Sequence, residues 1–349
     1  MTMASDLRVL LVGNYLSAGG ASRSISEELA SRLPALGCSV VTTSSKPGRL
    51  GRVTDMVRTA WTRRLDFDIA QVDVFSGAAF FWAEAVCATL RVARKPYILT
   101  LHGGSLPEFA VRHPGRTRRL FRHAAAVTTP SGYLLQELSP LREDIRLIPN
   151  GIDVARYEPR RDTHARRHLI WLRAFHRVYN PVLAVDVLSK VLPEFPDVRL
   201  TMVGADKKDG SLKEASARAR SLGVSPRVQF CPPVPKLEVP RTLAAGDIFL
   251  NTTNVDSAPV TVLEAMASEL CVVSTNVGGV PHVVTGDREG LLVPPRNPDA
   301  MADAVKQLLR DPPRASALAR SGRARAERHD WSPIVSTWRS LLAETLQRR

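Results

Sequence analysis

Short apolar runs of strand length alternate with stretches of helical period along the chain. Strands are predicted at Leu7 to Gly13, Cys38 to Thr43, Ile69 to Val74, Pro96 to Leu101 and Ala125 to Thr129. Helical stretches near 21–36, 77–93 and 131–138 separate them, which predicts a parallel sheet covered on both faces. The pattern then restarts with strands at His168 to Leu172, Val198 to Val203, Arg227 to Cys231, Asp247 to Asn251 and Leu270 to Ser274. Helices are predicted near 180–192, 211–222, 236–245, 259–268, 298–310 and 313–328. Between the two sets lies NGIDVARYEPRRDTHARRH, a polar, Arg-rich stretch holding Gly151 and Pro159.

These observations predict an α/β protein of two Rossmann-like domains, 1–150 and 168–330, joined by a linker over 151–167. A last helix over 331–349 places Trp331, Val335, Trp338, Leu341 and Leu342 near one side. A length of 349 residues, roughly twice a typical domain, agrees with two domains. Two such halves are expected to face each other across a cleft at the carboxyl ends of their strands, where ligands of these sheets bind.

Charge narrows the partners. Lys and Arg number 48 against 34 Asp and Glu, a net charge of +14 divided evenly between residues 1–150 and 151–349. Such a field favours nucleic acid, anionic lipid or phosphorylated small molecules. Aromatic residues make up only 6%, and no platform interleaves them with basic residues, which disfavours nucleic acid. No run of about 18 uncharged apolar residues occurs, and the start MTMASDLRVLLVG lacks the basic and apolar segments of a secretory leader. Cys38, Cys87, Cys231 and Cys271 lie far apart without C-x-x-C spacing, so reduced core thiols, a cytoplasmic location and no metal site are expected.

Three segments carry candidate chemistry. The first predicted strand runs into NYLSAGGASRS, where Gly19 and Gly20 permit close backbone approach and the next helix offers unpaired N–H groups to an anion. No Asp or Glu follows the second strand where a dinucleotide ribose requires one, since TTSSKPG stands there, so an NAD enzyme is disfavoured. In LTLHGGSLPEF, His102 stands at the carboxyl end of a strand on a double-glycine loop, able to hydrogen-bond hydroxyls or share a proton. In NVDSAPVTVLEAMASELCVVSTNVGGVP, Asp256 and Glu264 bracket a loop entering a helix, with Ser257 as the expected N-cap and Pro259 in the first turn. The N–H groups near Val260 and Thr261 could hold a phosphate, and Glu264 could accept two hydrogen bonds from a ribose diol.

The order of LVGNYLSAGGASRS, LTLHGGSLPEF, PNGID, LEAMASELCVVSTNVGGVPHVV and GLLVPPRNPDAMADAV resembles a family-4 retaining glycosyltransferase of the GT-B fold, from Leu7 to about Trp331. The resemblance implies transfer of a sugar from a nucleotide-diphospho-sugar to an acceptor hydroxyl, with the anomeric configuration retained and neither metal nor other cofactor. It makes the first domain the acceptor side and the second the nucleotide-sugar side, and it sends the last helix back to the first domain. Residue by residue, it puts Gly20 by the donor diphosphate, His102 on the donor sugar, Glu264 on the ribose and Arg173 on the phosphates. Asp256 takes the first acidic position of the family's pair of acids, as a binder of sugar hydroxyls.

The chain departs from that pattern in several places. The lysine-glycine pair usual after the arginine is replaced in HRVYNPVLAV, leaving His176, Arg177 or Asn180 to take the lysine's part. Pro259 stands where the family has a loop glycine, His282 where it commonly has a glutamate, and Ser22 ends the altered GGAS. The stretch Arg49 to Leu65 places Leu50, Val53, Val57, Ala60 and Trp61 on one helical stripe among arginines, and RHPGRTRRLFRH adds a second basic run. Together they suggest peripheral contact with an anionic membrane face and a glycan or lipid-linked acceptor in cell-surface polysaccharide or glycolipid synthesis. A sugar-nucleotide epimerase of the same architecture and a degenerate, non-catalytic nucleotide-sugar-binding protein are the competing readings.

Overall fold

The computed structural model describes residues 7–17, 23–159 and 167–348. The chain divides into two units, one of residues 1–151 with 331–349 and one of residues 152–330.

In the first unit, β1 (Leu7–Val12), β2 (Cys38–Thr43), β3 (Ile69–Val74), β4 (Tyr97–Leu101), β5 (Ala126–Thr129) and β6 (Arg146–Leu147) form one sheet in the order β2-β1-β3-β4-β5-β6, every pair parallel. Both faces are covered, so β4 is buried along its whole length and β1 at every position but Arg8. The helices are α1 (Ile25–Arg32), α2 (Arg49–Thr62), α3 (Ala78–Val92), α4 (Leu106–Arg112), α5 (Pro114–Arg122) and α6 (Gly132–Leu138).

In the second unit, β7 (His168–Leu172), β8 (Arg199–Val203), β9 (Val228–Cys231), β10 (Ile248–Asn251), β11 (Cys271–Thr275) and β12 (Gly290–Val293) pair in the order β12-β11-β10-β7-β8-β9, again all parallel. The strand order reverses between β7 and β10, as it does between β1 and β3 in the first unit. Ligands of doubly wound sheets bind outside the carboxyl ends at such points. Helices α7 (Pro181–Val191), α8 (Ser211–Ser221), α9 (Val239–Ala244), α10 (Val260–Ala267), α11 (Val280–Val283), α12 (Pro298–Arg310) and α13 (Pro312–Glu327) complete the unit.

The final helix, α14 (Trp331–Gln347), buries Trp331, Ile334, Val335, Trp338, Leu341 and Leu342 against Val9, Leu11, Ile69 and Ile98 of the first sheet.

Several expectations need correction. Residues 152–157, read as linker, are packed into the second unit, where Ile152, Val154 and Tyr157 are buried among the α10 side chains. Helices α4 and α5 are not among the predicted elements; Pro107 and Pro114 each sit in a first turn, where the missing N–H costs nothing. Ser257 is not the N-cap of α10. Asp256 Oδ1 accepts the Ala258 N–H at 3.2 Å, and the helix starts at Val260 with Pro259 in the cap position, two residues after Ser257. Cys38, Cys87 and Cys271 are free and buried, and Cys231 is free and half-buried.

Candidate active site

In the second unit the chemistry gathers where β7 and β10 end. Arg173 follows β7 directly, its N–H donating to the Val203 carbonyl at 3.1 Å. Gly204 is required there, since a β-carbon on it would overlap the Arg173 carbonyl. Hydrogen bonds tie the loop after β7 to the loop after β10. Trp171 Nε1 donates to Thr252 Oγ1 at 2.8 Å, that hydroxyl donates to the Tyr179 carbonyl at 2.7 Å, and the Asn254 N–H donates to the Val178 carbonyl at 2.7 Å. Asp209 fixes the same loop by accepting the Arg177 N–H at 2.8 Å and the Ser211 N–H at 3.1 Å, which holds its carboxyl down to about 2.

This frame brings Arg173 and Asp256 together as an ion pair whose side chains are only 15% and 12% exposed. The guanidinium also lies 4.5 Å from the centroid of the Tyr179 ring. Burial lowers the Arg173 pKa, with Tyr179 and Glu264 opposing, yet a guanidinium stays charged at any physiological pH. Its Nε is buried with no partner among the described residues, and so is Thr261 Oγ1 in the first turn of α10. The Val260 and Thr261 N–H groups open that helix under a proline cap that offers no side-chain acceptor. One delocalised cation, a helix N-terminus and a hydroxyl donor are what a diphosphate binds.

Glu264 lies one turn into α10 and is 1% exposed. Its Oε1 accepts the Tyr157 hydroxyl at 2.9 Å and pairs with the Lys236 ammonium. Burial and the Glu264 charge push the Tyr157 hydroxyl far above its ordinary range, so it remains a donor. The carboxylate expected to be open for ribose is therefore already held by two donors of its own chain.

Asn180 occupies a left-handed backbone position (φ +47) between a 3₁₀ turn at Arg177–Tyr179 and Pro181, the start of α7. Asn tolerates that conformation better than most residues, which gives it a backbone role. Arg177 donates to Glu214 at 2.7 Å, and His176 Nδ1 accepts the Val178 N–H at 3.1 Å. The His176 and Arg177 side chains, expected with Asn180 to replace the family's lysine, thus have local work, whereas Asn180 is placed by its backbone.

In the first unit, His102 follows β4, and its N–H donates to the Val74 carbonyl at 2.8 Å. Its Nε2 meets Asp73 Oδ1 at 3.1 Å, and its ring stacks on Phe75 with centroids 5.1 Å apart. Asp73 also accepts from Gln71 Nε2 at 2.8 Å and from Ser26 Oγ. Burial works to raise the Asp73 pKa, but His102, Ser26 and Gln71 outweigh it, and the carboxyl lies below its ordinary value. Gly13 makes room, since a β-carbon on it would stand 2.6 Å from Asp73 Oδ2. With Nε2–H given to Asp73, a neutral His102 presents Nδ1 as an acceptor. Gly19 and Gly20 lie outside the described residues, as does Ser22.

Sequence reading missed Asp73, Ser26, Tyr157 and Lys236. Gln71 and Asp73 alternate along an otherwise apolar strand, a signal for a polar patch on one face. Tyr157 and Lys236 gave none, being 107 and 28 residues from the carboxylate they hold.

Comparison with known proteins places this geometry in a family. The family model described as "Glycosyltransferase Family 4" matches residues 18–156, and that described as "Glycosyl transferases group 1" matches residues 162–325. The chain belongs to these glycosyltransferases. It is 28% identical over 267 residues to a D-inositol 3-phosphate glycosyltransferase of Pseudarthrobacter chlorophenolicus, covering 72% of this chain and 63% of that protein. Against the enzyme of the same description from Mycobacteroides abscessus it is 31% identical over 224 residues, covering 60% and 50%. The match thus spans between half and two thirds of these relatives' length. Among solved structures, sucrose-phosphate synthase from Thermosynechococcus elongatus superposes with a TM-score of 0.81 at 16% identity, covering 98% of this chain and 100% of that one. HepE from Anabaena, solved in complex with UDP-glucose, gives 0.79 at 18% identity, covering 98% and 100%. The fold of this glycosyltransferase is the GT-B type, with two Rossmann-like domains. Among the described residues no helix is long and apolar enough to cross a membrane.

Proposed function

We propose that this glycosyltransferase moves a sugar from a nucleotide-diphospho-sugar to an acceptor hydroxyl with retention of configuration and without a metal. The observation that carries the reading is the cluster at the end of β7, where the Arg173 guanidinium, the Val260 and Thr261 N–H groups and Thr261 Oγ1 form an anion-binding set. A departing diphosphate gathers negative charge, and preorganised donors stabilise it in place of a metal. Glu264 binds the ribose diol once the Lys236 ammonium moves aside. Asp256 positions Arg173 and accepts from sugar hydroxyls. Same-face attack by the acceptor, with its proton passing to the leaving phosphate oxygen, requires no protein nucleophile. The His102 Nδ1 lone pair accepts from a hydroxyl of the transferred sugar.

The acceptor in this reading is a glycan or a lipid-linked saccharide in cell-surface polysaccharide or glycolipid synthesis at a cytoplasmic membrane face. Its support is the exposed Leu50, Trp61 and Leu65 beside the arginines of α2. Because Asn180 and Pro259 depart from the family's pattern, and Asp256 and Lys236 already pair with Arg173 and Glu264, nucleotide-sugar binding without turnover is the competing reading.

The test is calorimetric titration with uridine, guanosine and adenosine diphospho-sugars, without metal and then with magnesium, followed by donor turnover. UDP-glucose comes first because HepE was solved with it. Binding of one donor without metal, lost in Arg173→Ala and in Glu264→Ala, is the expected result. Binding that survives both substitutions overturns the site, and binding without turnover on any acceptor favours the competing reading.

A further inference from the structure

The loop after β7 ends in a tyrosine whose backbone is fixed from two sides. Tyr179 N–H donates to the His176 carbonyl at 2.8 Å, which closes the 3₁₀ turn, and the Tyr179 carbonyl accepts the Thr252 hydroxyl at 2.7 Å. The residue before it, Val178, accepts the Asn254 N–H at 2.7 Å. The loop after β10 thus holds Tyr179 as firmly as its own turn does. The ring is half-buried against the core that contains Trp171 and Leu183, and the His176 ring meets it edge-on with centroids 6.3 Å apart.

This fixed ring faces Arg173. The guanidinium carbon lies 4.5 Å from the ring centroid, within the range at which an aromatic face attracts a cation. Asp256 holds the same guanidinium as an ion pair. The two contacts respond differently to an anion. A diphosphate competes with the Asp256 carboxylate, because both take the N–H edge of the guanidinium. Stacking uses the flat face and leaves that edge free, so it persists when a phosphate binds. Arg173 Nε, which has no partner among the described residues, is a donor left for the ligand.

The backbone adds a separate observation. Asn180 lies at φ +47, a conformation that glycine adopts freely. Asn180 therefore fits the glycine of the lysine-glycine pair, which puts Tyr179 in the lysine's place. His176 and Arg177 lie instead beside Asp209 and Glu214.

We propose that Tyr179 is a positioning residue for the donor diphosphate, its ring holding the Arg173 guanidinium in place as the anion draws it from Asp256. This rests on the proposed donor site, in which Arg173 grips the diphosphate. An arginine that must be ordered on binding costs about three- to tenfold in affinity, and the ring removes that cost beforehand.

The probe is inorganic pyrophosphate, which presents a diphosphate without a base, titrated calorimetrically into the full chain at fixed ionic strength. The variants are Tyr179→Leu, Tyr179→Phe, Arg173→Ala and the double variant Arg173→Ala/Tyr179→Leu, with Tyr179→Met as a second ringless side chain should leucine disturb folding. Loss of the ring weakens binding by about three- to tenfold, and Tyr179→Phe, which keeps the face, restores affinity to within about twofold. The double variant binds no more weakly than Arg173→Ala, because the ring acts only through the guanidinium. A packing role alone lowers the melting temperature of the ringless variants and leaves their pyrophosphate affinity as it was, which overturns the proposal. Tyr179→Phe as weak as Tyr179→Leu, or a double variant weakened by the full product of the two single losses, overturns it too. In each of these cases the loss in Arg173→Ala leaves the donor site standing. Pyrophosphate binding that is absent, or indifferent to Arg173→Ala, removes the donor site and the role of Tyr179 with it.

Discussion

Gly279 N–H donates to the Asp256 carbonyl oxygen at 2.8 Å, while Gly278, at φ +50, lies so close that a β-carbon would overlap the same oxygen. The double glycine of NVGGVP thereby fixes the loop whose carboxylate pairs with Arg173. Gly278→Ala combines a left-handed alanine, at about 1 kcal/mol, with displacement of that loop. Donor turnover falls by about a hundredfold, the scale expected for an ångström of misplacement. Gly223→Ala is the control. Gly223 has φ +69 but no atom within 4 Å of its would-be β-carbon, so only the backbone cost is felt. Chemical denaturation and donor titration of the two variants together check this.

Asp73 makes the first unit's cluster sensitive to acid. Its folded pKa lies below its ordinary 3.8, so its stabilising contribution is complete above the unfolded value and is lost as pH falls through the folded one. Asp73→Asn keeps the shape but removes the charge that His102, Ser26 and Gln71 face. We expect it to destabilise the protein by about 1–3 kcal/mol near neutral pH. The gap to the unmodified protein stays constant from about pH 7 to 5 and narrows below about pH 4. Denaturant unfolding at a series of pH values measures that gap. Turnover drops as well, by about tenfold, because an amide that is uncharged and carries a donor replaces the carboxylate that fixes the His102 tautomer.

The reach of the sequence follows from distance along the chain. Strands β1, β3, β4, β7 and β11 were legible because parallel strands buried on both faces are nearly uniform apolar runs. His102 was legible because it stands just beyond a strand on a double-glycine loop, Asp256 because it begins a loop entering a helix, and Arg173 only through the family resemblance. Helices α4 and α5 were not, since each is short and α5 carries only Leu120 and Phe121 as apolar residues among its arginines. The state of Glu264 was hidden for a different reason. Its burial could be read from the apolar residues on either side, but its partners Tyr157 and Lys236 come from a supposed linker and a remote loop. Only the packed second unit brings them together.

The Lys236 ammonium occupies Oε1 of Glu264, so in the proposed donor site a ribose hydroxyl would have to displace it. Lys236→Met removes the competitor and leaves the buried carboxylate with the Tyr157 hydroxyl. We expect uridine diphosphate to bind about five- to tenfold more tightly to this variant, a change of about 1 kcal/mol. Tyr157→Phe leaves the competitor in place and removes a bond to a charged group, so stability falls by about 1–2 kcal/mol. Calorimetry on both variants checks the order. Weaker nucleotide binding in Lys236→Met would mean that the ammonium itself contacts the nucleotide.

Helix α2 carries the last prediction. Met56 and Ala60 are buried against the sheet, whereas Leu50, Trp61 and Leu65 are 83%, 44% and 76% exposed. Arg64 stacks over the Trp61 ring at 4.6 Å, Arg49 and Arg58 lie on the same helix, and Arg63, just past its end, pairs with Asp66. Exposed apolar side chains among arginines match an interfacial helix on an anionic bilayer. Two arginines of the second basic run differ, because Arg112 pairs with Glu108 and Arg116 with Glu84. Trp61→Ser and Arg58→Ala should each lower partitioning onto phosphatidylglycerol vesicles by about fivefold or more, since a basic residue near such a surface is worth about 1 kcal/mol. Folding stability should change by less than about 0.5 kcal/mol, as these positions face solvent. Arg112→Ala should change partitioning less, because its charge is already matched. Vesicle flotation across a range of salt measures all three, and equal recovery on neutral and anionic vesicles would remove the membrane role of α2.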